Sequence, residues 1–208
     1  MDGDILTDPS FVAALGHCDE SGAECESRGI SEFASLVKKL KRKHFSILSQ
    51  NVRSLDANFE KLENFLQQVN ESDKNFLFSV IAMQETWQFK TQHQIPHYQK
   101  LIAKTRTRNQ GGGVGFFIKE GIEFEEIEDA SNFEERIHES LFIRLKGDGG
   151  RGIIIGNIYR PNTYPYEDTA RSLKLLLDSI DLVRNKFRRD SIILVGDFNV
   201  DLSNILEN

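Results

Sequence analysis

The chain has 208 residues, of which 39% are hydrophobic and 10% aromatic, so it can bury a sizeable core and is neither generally disordered nor fibrous. Its formal net charge of -6 comes from residues 1–32, which hold eight acidic residues and one arginine, whereas the remainder is close to neutral. The acidic balance therefore does not argue against a nucleic-acid partner.

The cysteine count argues against a protein held together by disulfides or zinc, and the hydropathy pattern argues against a secreted or membrane-spanning protein. Cys18 and Cys25 are too few for a disulfide framework and lack the partners of a zinc site. No signal-peptide pattern and no apolar segment of about eighteen residues occurs. We therefore expect an intracellular protein with no membrane partner.

Residues 1–43 differ from the rest of the chain because they are polar, first acidic and then basic. They are predicted to be a flexible leader with one short helix from Ser31. Five basic residues within 38–43 are interpreted as a solvated helix end, and the alternatives are a nuclear import signal or a phosphate-contacting arm. A single domain is predicted over residues 44–208.

Short apolar runs alternate with two amphipathic stretches along this domain. The runs predict strands at 44–51, 76–83, 101–104, 114–119, 141–145, 152–159 and 191–197. Apolar residues at helical spacing predict helices from Leu55 to Val69 and from Leu173 to Phe187. GGGVG at 111–115 is predicted to be a hairpin turn rather than a phosphate cradle, because it leads into a strand. This order of elements indicates an α/β layered domain.

Polar side chains follow four of the predicted strands, at the point where each strand ends. They are Asn51, Glu85, Tyr159 with Arg160, and Asp197 with Asn199. Each alone is more typical of a turn, a cap or a sheet surface than of a site. Together they indicate one, since Glu85 and Asn51 offer the oxygen ligands that Mg²⁺ prefers. Asp197, Asn199 and Tyr159 could then position a water and bind phosphoryl oxygens.

Three other features have two interpretations each. Lys104, Arg106 and Arg108 alternate along a segment that either contacts a DNA backbone or is a solvated loop. Glu139 either reaches the rim of the site or has no part in it. Trp87, beside Glu85, is interpreted as a packing residue rather than a platform on which a base stacks.

The ordered segments SQNVRSL, MQETW, GGGVGFFI, IYRPN and LVGDFNVDL resemble those of the endonuclease/exonuclease/phosphatase superfamily. The resemblance covers residues 44–208 and is closest to the endonuclease domain of non-LTR retrotransposons. It implies an α/β fold of the DNase I type, a four-layer sandwich in which helices flank two mixed β-sheets.

The resemblance also implies roles for the residues that match its motifs. Glu85 would bind Mg²⁺, for which Mn²⁺ can substitute, with Asn51 in the same neighbourhood. Tyr159 would contact the scissile phosphate. Asp197 would help to activate the attacking water, and Asn199 would orient the phosphate.

The substrate that the resemblance implies is DNA, contacted along its phosphate backbone. Arg160 and Arg108 are the expected substrate-binding residues, and the expected product is a nick with a free 3′ hydroxyl. The alternatives are a phosphatase or phosphodiesterase that acts on lipid, inositol phosphate or RNA, and a remnant without catalytic activity.

Members of the superfamily continue beyond the segment that matches GDFN, through strands that supply a further Asp and a Ser-Asp-His. The sequence ends at Asn208. On this basis we expect a fragment that lacks the last strands, with weak or no catalysis because an acid/base group contributes about two to four orders of magnitude in rate.

Overall fold

The computed structural model describes residues 15–19, 22–26, 45–72, 76–108, 110–162 and 166–199. Two strands of the leader, β1 (Leu15–Asp19) and β2 (Gly22–Glu26), pair in an antiparallel hairpin. The helix predicted from Ser31 lies outside the described residues.

The first sheet has four strands in the order β3-β4-β6-β5. Its strands are β3 (Ile47–Asn51), β4 (Val80–Gln84), β5 (Ile102–Lys104) and β6 (Val114–Ile118). β3 and β4 are parallel, whereas β6 is antiparallel to both of its neighbours, so the sheet is mixed. Gly111, Gly112 and Gly113 of the predicted GGGVG turn lie in the connection between β5 and β6, whereas Val114 and Gly115 already belong to β6.

The second sheet has five strands. Four of them lie in the order β11-β10-β9-β7, and β8 also pairs with β9. The strands are β7 (Phe124–Glu126), β8 (Phe133–Glu134), β9 (His138–Lys146), β10 (Gly152–Tyr159) and β11 (Ser191–Asp197). β10 is parallel to β11 and antiparallel to β9. The short strands β7 and β8 were not predicted, because two or three residues carry too little pattern.

Two helices cover the outer faces of the sheets. α1 (Leu55–Ser72) connects β3 to β4, and α2 (Tyr166–Lys186) connects β10 to β11. Each parallel pair of strands is thus joined through a helix, as parallel pairing requires. The Ser54 hydroxyl accepts the Ala57 N–H at 3.4 Å, so α1 begins with a serine cap.

The core lies in three layers between these elements. α1 packs on the first sheet through residues that include Leu62, Phe65 and Val69. The two sheets pack face to face through apolar side chains such as Phe116 and Ile143. α2 closes the other side, so the domain is the expected four-layer α/β sandwich of two mixed sheets flanked by helices.

The prediction of α2 was wrong in its detail. The helix begins at Tyr166, earlier than the apolar residues indicated. Leu173 and Leu177 are 55% and 51% exposed, whereas Ser172 and Ser179 are buried. The buried serines bond to groups of the second sheet and its loops, so polar residues occupy positions that an apolar pattern would not select.

Candidate functional site

The carboxyl ends of both parallel strand pairs meet at one edge of the sandwich. Asn51, the last residue of β3, donates from Nδ2 to Glu85 Oε1 at 2.7 Å and to Asp197 Oδ2 at 2.8 Å. Glu85 follows β4 in the first sheet, and Asp197 ends β11 in the second. The amide of Asn51 therefore holds two carboxylates from different sheets around one point.

The backbone after β4 is fixed on two sides. Ser54 N donates to Glu85 O at 2.8 Å, and Trp87 N donates to Gly112 O at 2.8 Å. Glu85 and Trp87 have φ values of +52° and +57°, a conformation that L-residues rarely adopt. Such strain persists only where surrounding contacts enforce it, and it is concentrated at functional sites.

Tyr159 lies beside the two carboxylates. It ends β10, opposite Asp197 of β11 and Glu139 of β9, and it is only 8% exposed. Burial, followed by the charge of Glu85, raises the pKa of the Tyr159 hydroxyl well above its usual range, and the hydroxyl is hydrogen-bonded to Glu85. Tyr159 therefore stays protonated and is a donor at neutral pH.

Arg160 and Asn199 bind each other around the turn that follows β11. Arg160 Nε donates to Phe198 O at 2.7 Å, and Asn199 Nδ2 donates to Arg160 O at 2.6 Å. Asn199 N also donates to Asp197 Oδ1 at 3.2 Å. Both oxygens of Asp197 thus accept hydrogen bonds, one from each side of the site, which fixes the orientation of its carboxylate.

The predicted basic segment divides into two parts. Arg106 is buried and its Nε lies 2.5 Å from Glu139 Oε1, so it forms an internal ion pair. Arg108 is exposed in the loop between β5 and β6. The structure therefore brings Asn51, Glu85, Tyr159 and Asp197 together, with Asn199 and Arg160 in the adjoining turn, and it places Arg108 on the surface of a separate loop.

Two buried groups next to the site were missed or undervalued from the sequence. Glu139 is fully buried and accepts the Gly113 N–H as well as Arg106. Asn157, in the middle of β10, donates to the backbone carbonyls of Met83 and Gly115 and accepts from Gln84 Nε2 at 2.6 Å. The signal for Glu139 was its position just before the apolar run Leu141–Ile143 of β9, where a buried carboxylate needs a partner.

The glycines at 111–113 let the loop approach this carboxylate. All three have positive φ. A Cβ at Gly112 would lie 2.3 Å from Arg106 Nε, and a Cβ at Gly113 would lie 2.4 Å from Thr86 Oγ1. The GGG segment is thus required for the tight contact between the β5–β6 loop and the turn after β4.

The donor set fits a hard divalent cation. Within the described part of the chain, no group of three or more His, Cys, Asp or Glu side chains is placed to hold a metal ion. Mg²⁺, however, is commonly bound by one or two carboxylates with waters and substrate oxygens. Glu85 and Asp197 supply two such carboxylates, and the Nδ2 of Asn51 donates to both of them.

The four-layer sandwich of two mixed sheets flanked by helices is an α/β fold of the DNase I class. Residues 48–205 match the endonuclease/exonuclease/phosphatase family. The match spans well over half of the chain, and the chain belongs to this family.

Three solved structures with the same fold are distant in sequence. They include TDP2 of D. rerio in complex with a single-strand DNA product (16% identity, TM-score 0.51, 77% of this chain and 64% of that chain). The human Nocturnin catalytic domain with bound sulfate has 14% identity and a TM-score of 0.51 over 76% of this chain and 65% of that chain. ANGEL2, a 2′,3′-cyclic phosphatase, has 18% identity and a TM-score of 0.52 over 78% of this chain and 56% of that chain.

These likenesses show the fold alone, and the chain spans about three fifths of the length of these three structures. No curated protein matches the sequence at a significant level. Among the described residues, no helix combines the length and the apolar character needed to cross a membrane.

Proposed function

We propose that this chain is a divalent-metal-dependent phosphodiesterase that nicks DNA, related to the endonuclease domains of non-LTR retrotransposons. The observation that carries the proposal is the convergence of Glu85 and Asp197 on the amide of Asn51. Members of the family generally depend on a divalent metal ion. Carboxylates brought together at one strand edge are costly unless a cation or a hydrogen-bond donor compensates them.

Glu85 and the side-chain oxygen of Asn51 would hold the cation, with Mg²⁺ as the physiological ion and Mn²⁺ as a substitute. Asn51 Oδ1 accepts the Arg53 N–H at 3.2 Å in this structure, so the Asn51 amide would have to rotate for this oxygen to bind the ion. The bound ion would supply Lewis-acid stabilisation of the charge on a phosphoryl oxygen. Asp197, whose two oxygens are oriented by Asn51 and by the Asn199 backbone, would accept a proton from the attacking water. Tyr159, kept protonated by its surroundings, would donate to a non-bridging oxygen of the scissile phosphate.

Arg160 and Asn199 would act from the adjoining turn. The guanidinium of Arg160 bonds to the backbone of Phe198 and Asn199, so its first effect would be to fix the turn that carries the Asn199 side chain. Asn199 would orient the phosphate. Arg108, exposed on the β5–β6 loop, would contact the DNA backbone as a positive charge.

DNA is favoured as the substrate by the IYRPN and LVGDFNVDL segments, which resemble those of retrotransposon endonucleases. One protein of the same fold was solved with a single-strand DNA product, which is compatible with this choice. The expected product is a nick with a free 3′ hydroxyl, as the resemblance implies.

The test is nicking of supercoiled plasmid by the 208-residue chain in Mg²⁺, with EDTA as the metal-free control. Glu85→Gln and Asp197→Asn are expected to reduce the rate by at least about a hundredfold, because each removes a charged group at the reacting centre. Glu60→Gln is the matched control, since Glu60 is an exposed carboxylate on α1.

Binding of Mn²⁺, followed through the paramagnetic broadening of protein NMR signals, separates the two parts of the proposal. Mn²⁺ binding that Glu85→Gln abolishes would support the metal site independently of catalysis. Folded protein that binds Mn²⁺ but leaves the plasmid intact would refute DNA nicking by the 208-residue chain. Hydrolysis of a 2′,3′-cyclic phosphate or a phosphomonoester under those conditions would reassign the substrate class.

A further inference from the structure

A cleft of about 620 Å³ opens beside the candidate site. The segment that follows Glu85 forms one wall, and the end of the β5–β6 hairpin forms the other. We call it the Trp87 cleft. Its lining residues are Trp87, Gln88, Phe89, Lys90, Thr105, Arg106, Thr107, Gln110 and Gly111. Its volume lies within the roughly 300–1,000 Å³ of small-ligand sites.

The two walls are fixed to each other through the backbone. Thr86 N donates to Gly113 O, and Trp87 N donates to Gly112 O at 2.8 Å. Gln88 Nε2 donates to Arg106 O at 2.6 Å. These bonds hold the Trp87 cleft in shape without a ligand, so an entering group would not have to order both walls itself.

Trp87 is not a core residue. The apolar clusters of the described residues include Phe89 but not Trp87, whose side chain is half-buried at the cleft wall. The indole Nε1 has no hydrogen-bond partner within the described part of the chain. The indole thus lines the cleft with part of its surface exposed, and its Nε1 is buried without a partner among the described residues.

The lining has the chemistry of a nucleobase site. It combines two aromatic rings, two glutamine amides and two threonine hydroxyls with two cations, and it contains no carboxylate. Of the two cations, Arg106 is paired with Glu139, and Lys90 is the other. Glu135, which accepts the Thr107 N–H and hydroxyl, and Asp56, which accepts the Lys90 N–H, border the two walls. Aromatic faces stack on any base, amides and hydroxyls can bond to base edges, and a cation compensates the backbone phosphate.

The Trp87 cleft is also close to the proposed reacting centre. Two residues of extended chain span at most about 7 Å, so the backbone of Trp87 lies within about 7 Å of that of Glu85. This distance corresponds to the axial rise of about two nucleotides along one strand of B-DNA. A base bound in the cleft would therefore belong to a nucleotide within a few positions of the scissile phosphate.

We propose that the Trp87 cleft binds one unpaired nucleobase of the DNA strand, stacked on the Trp87 indole beside the phosphate that the site cleaves. This inference rests on the proposed function for its substrate. The preferred DNA would then have an unstacked or single-stranded nucleotide at the cleavage position, because a base in a duplex cannot enter the cleft without leaving its stack.

The sequence contains a single tryptophan, so intrinsic tryptophan fluorescence reports on this cleft alone. The experiment titrates the full chain, in EDTA to prevent cleavage, with an eight-nucleotide oligothymidylate and with a base-free deoxyribose-phosphate oligomer of the same length. We expect the oligothymidylate to quench the fluorescence and to bind about tenfold more tightly than the base-free oligomer, because one stacked base supplies that difference. A fully paired hairpin is expected to bind without quenching.

Two variants test the stacking through the anisotropy of labelled oligomers. Trp87→Leu is expected to weaken oligothymidylate binding about tenfold and to leave binding of the base-free oligomer unchanged, which also shows that the variant is folded. Trp87→Phe keeps an aromatic face and is expected to restore most of the affinity. Glu60→Gln is the surface control.

Equal affinity for the two oligomers, or no quenching at saturation with oligothymidylate, would overturn the inference. Plasmid nicking is the separate readout for the proposed function. Plasmid nicking together with equal affinity for the oligothymidylate and the base-free oligomer would refute the base site and leave the endonuclease function in place. Base-dependent quenching without nicking would keep the base site and withdraw the endonuclease function.

Discussion

Replacement of His138 is expected to remove a large part of the loss of stability at acid pH. His138 opens β9 and is fully buried, with Nδ1 3.1 Å from Ser172 Oγ and no partner at Nε2 among the described residues. Burial lowers the pKa of its imidazole from 6.5 to about 4. The folded protein therefore holds this histidine neutral at pH values where the unfolded chain protonates it.

The sign and size follow from proton linkage. Between pH 6.5 and about 4 the unfolded state binds more protons at this position, so the free energy of unfolding falls as the pH is lowered. Well above pH 6.5 the histidine is neutral in both states, and it causes no loss of stability. The loss amounts to about 2 kcal/mol at pH 5 and about 3 kcal/mol at pH 4.

The assay is urea denaturation at pH 7, 6 and 5. The test variant is His138→Phe with Ser172→Ala, which fills the space and removes the hydroxyl that would lose its partner. Exposed His97, changed to Asn, is the control for loss of one histidine. The quantity compared is the free energy of unfolding of the variant minus that of the wild type. From pH 7 to pH 5 this difference should shift in favour of the variant by about 2 kcal/mol. An unchanged difference would refute the reasoning.

Three further changes probe the groups around the candidate site, and each is measured as a change in the free energy of unfolding in urea. Glu139→Gln should cost about 3 kcal/mol by leaving the Arg106 cation buried without its partner, and Glu139→Leu with Arg106→Leu should cost less. Gly113→Ala should cost at least about 1 kcal/mol, because φ is +91° and the new Cβ would meet the Thr86 hydroxyl; a neutral result would mean that the loop moves freely. Asn157→Leu should cost about 2–4 kcal/mol by leaving buried carbonyls without donors, whereas a cost below about 1 kcal/mol would show that water replaces the amide.

The residues at the strand ends could be found from the sequence because the signal is local. Asn51, Glu85, Tyr159 and Asp197 each follow an apolar run, and strands that share a direction place their carboxyl ends at one edge. The sequence therefore predicted which side chains would meet. It did not predict that Asn51 would donate to both carboxylates, because that depends on how the two sheets are placed against each other.

The groups that were missed depend on pairing between distant segments. Arg106 and Glu139 are 33 residues apart, and their ion pair requires the register of the second sheet and the path of the glycine loop. Ser179, 49 residues from its partner Ala130, is buried for the same kind of reason. A periodicity analysis treats a serine as a surface residue and cannot supply the carbonyl that satisfies it.

The bridge from Asn51 to Asp197 joins residues 146 positions apart, and each belongs to its own strand-helix-strand unit. Each unit can form its helix and its parallel strand pair locally, but neither contains both carboxylates. Glu85 and Asn51, the proposed ligands of the cation, both lie in the first unit. A bound cation would therefore favour the docked pair of sheets through its attraction for the Asp197 carboxylate of the second unit, and that part of its binding free energy would add to the docking equilibrium. The protein would then resist local opening most strongly when the metal is bound. Addition of metal would slow amide hydrogen exchange most along β3 and β11.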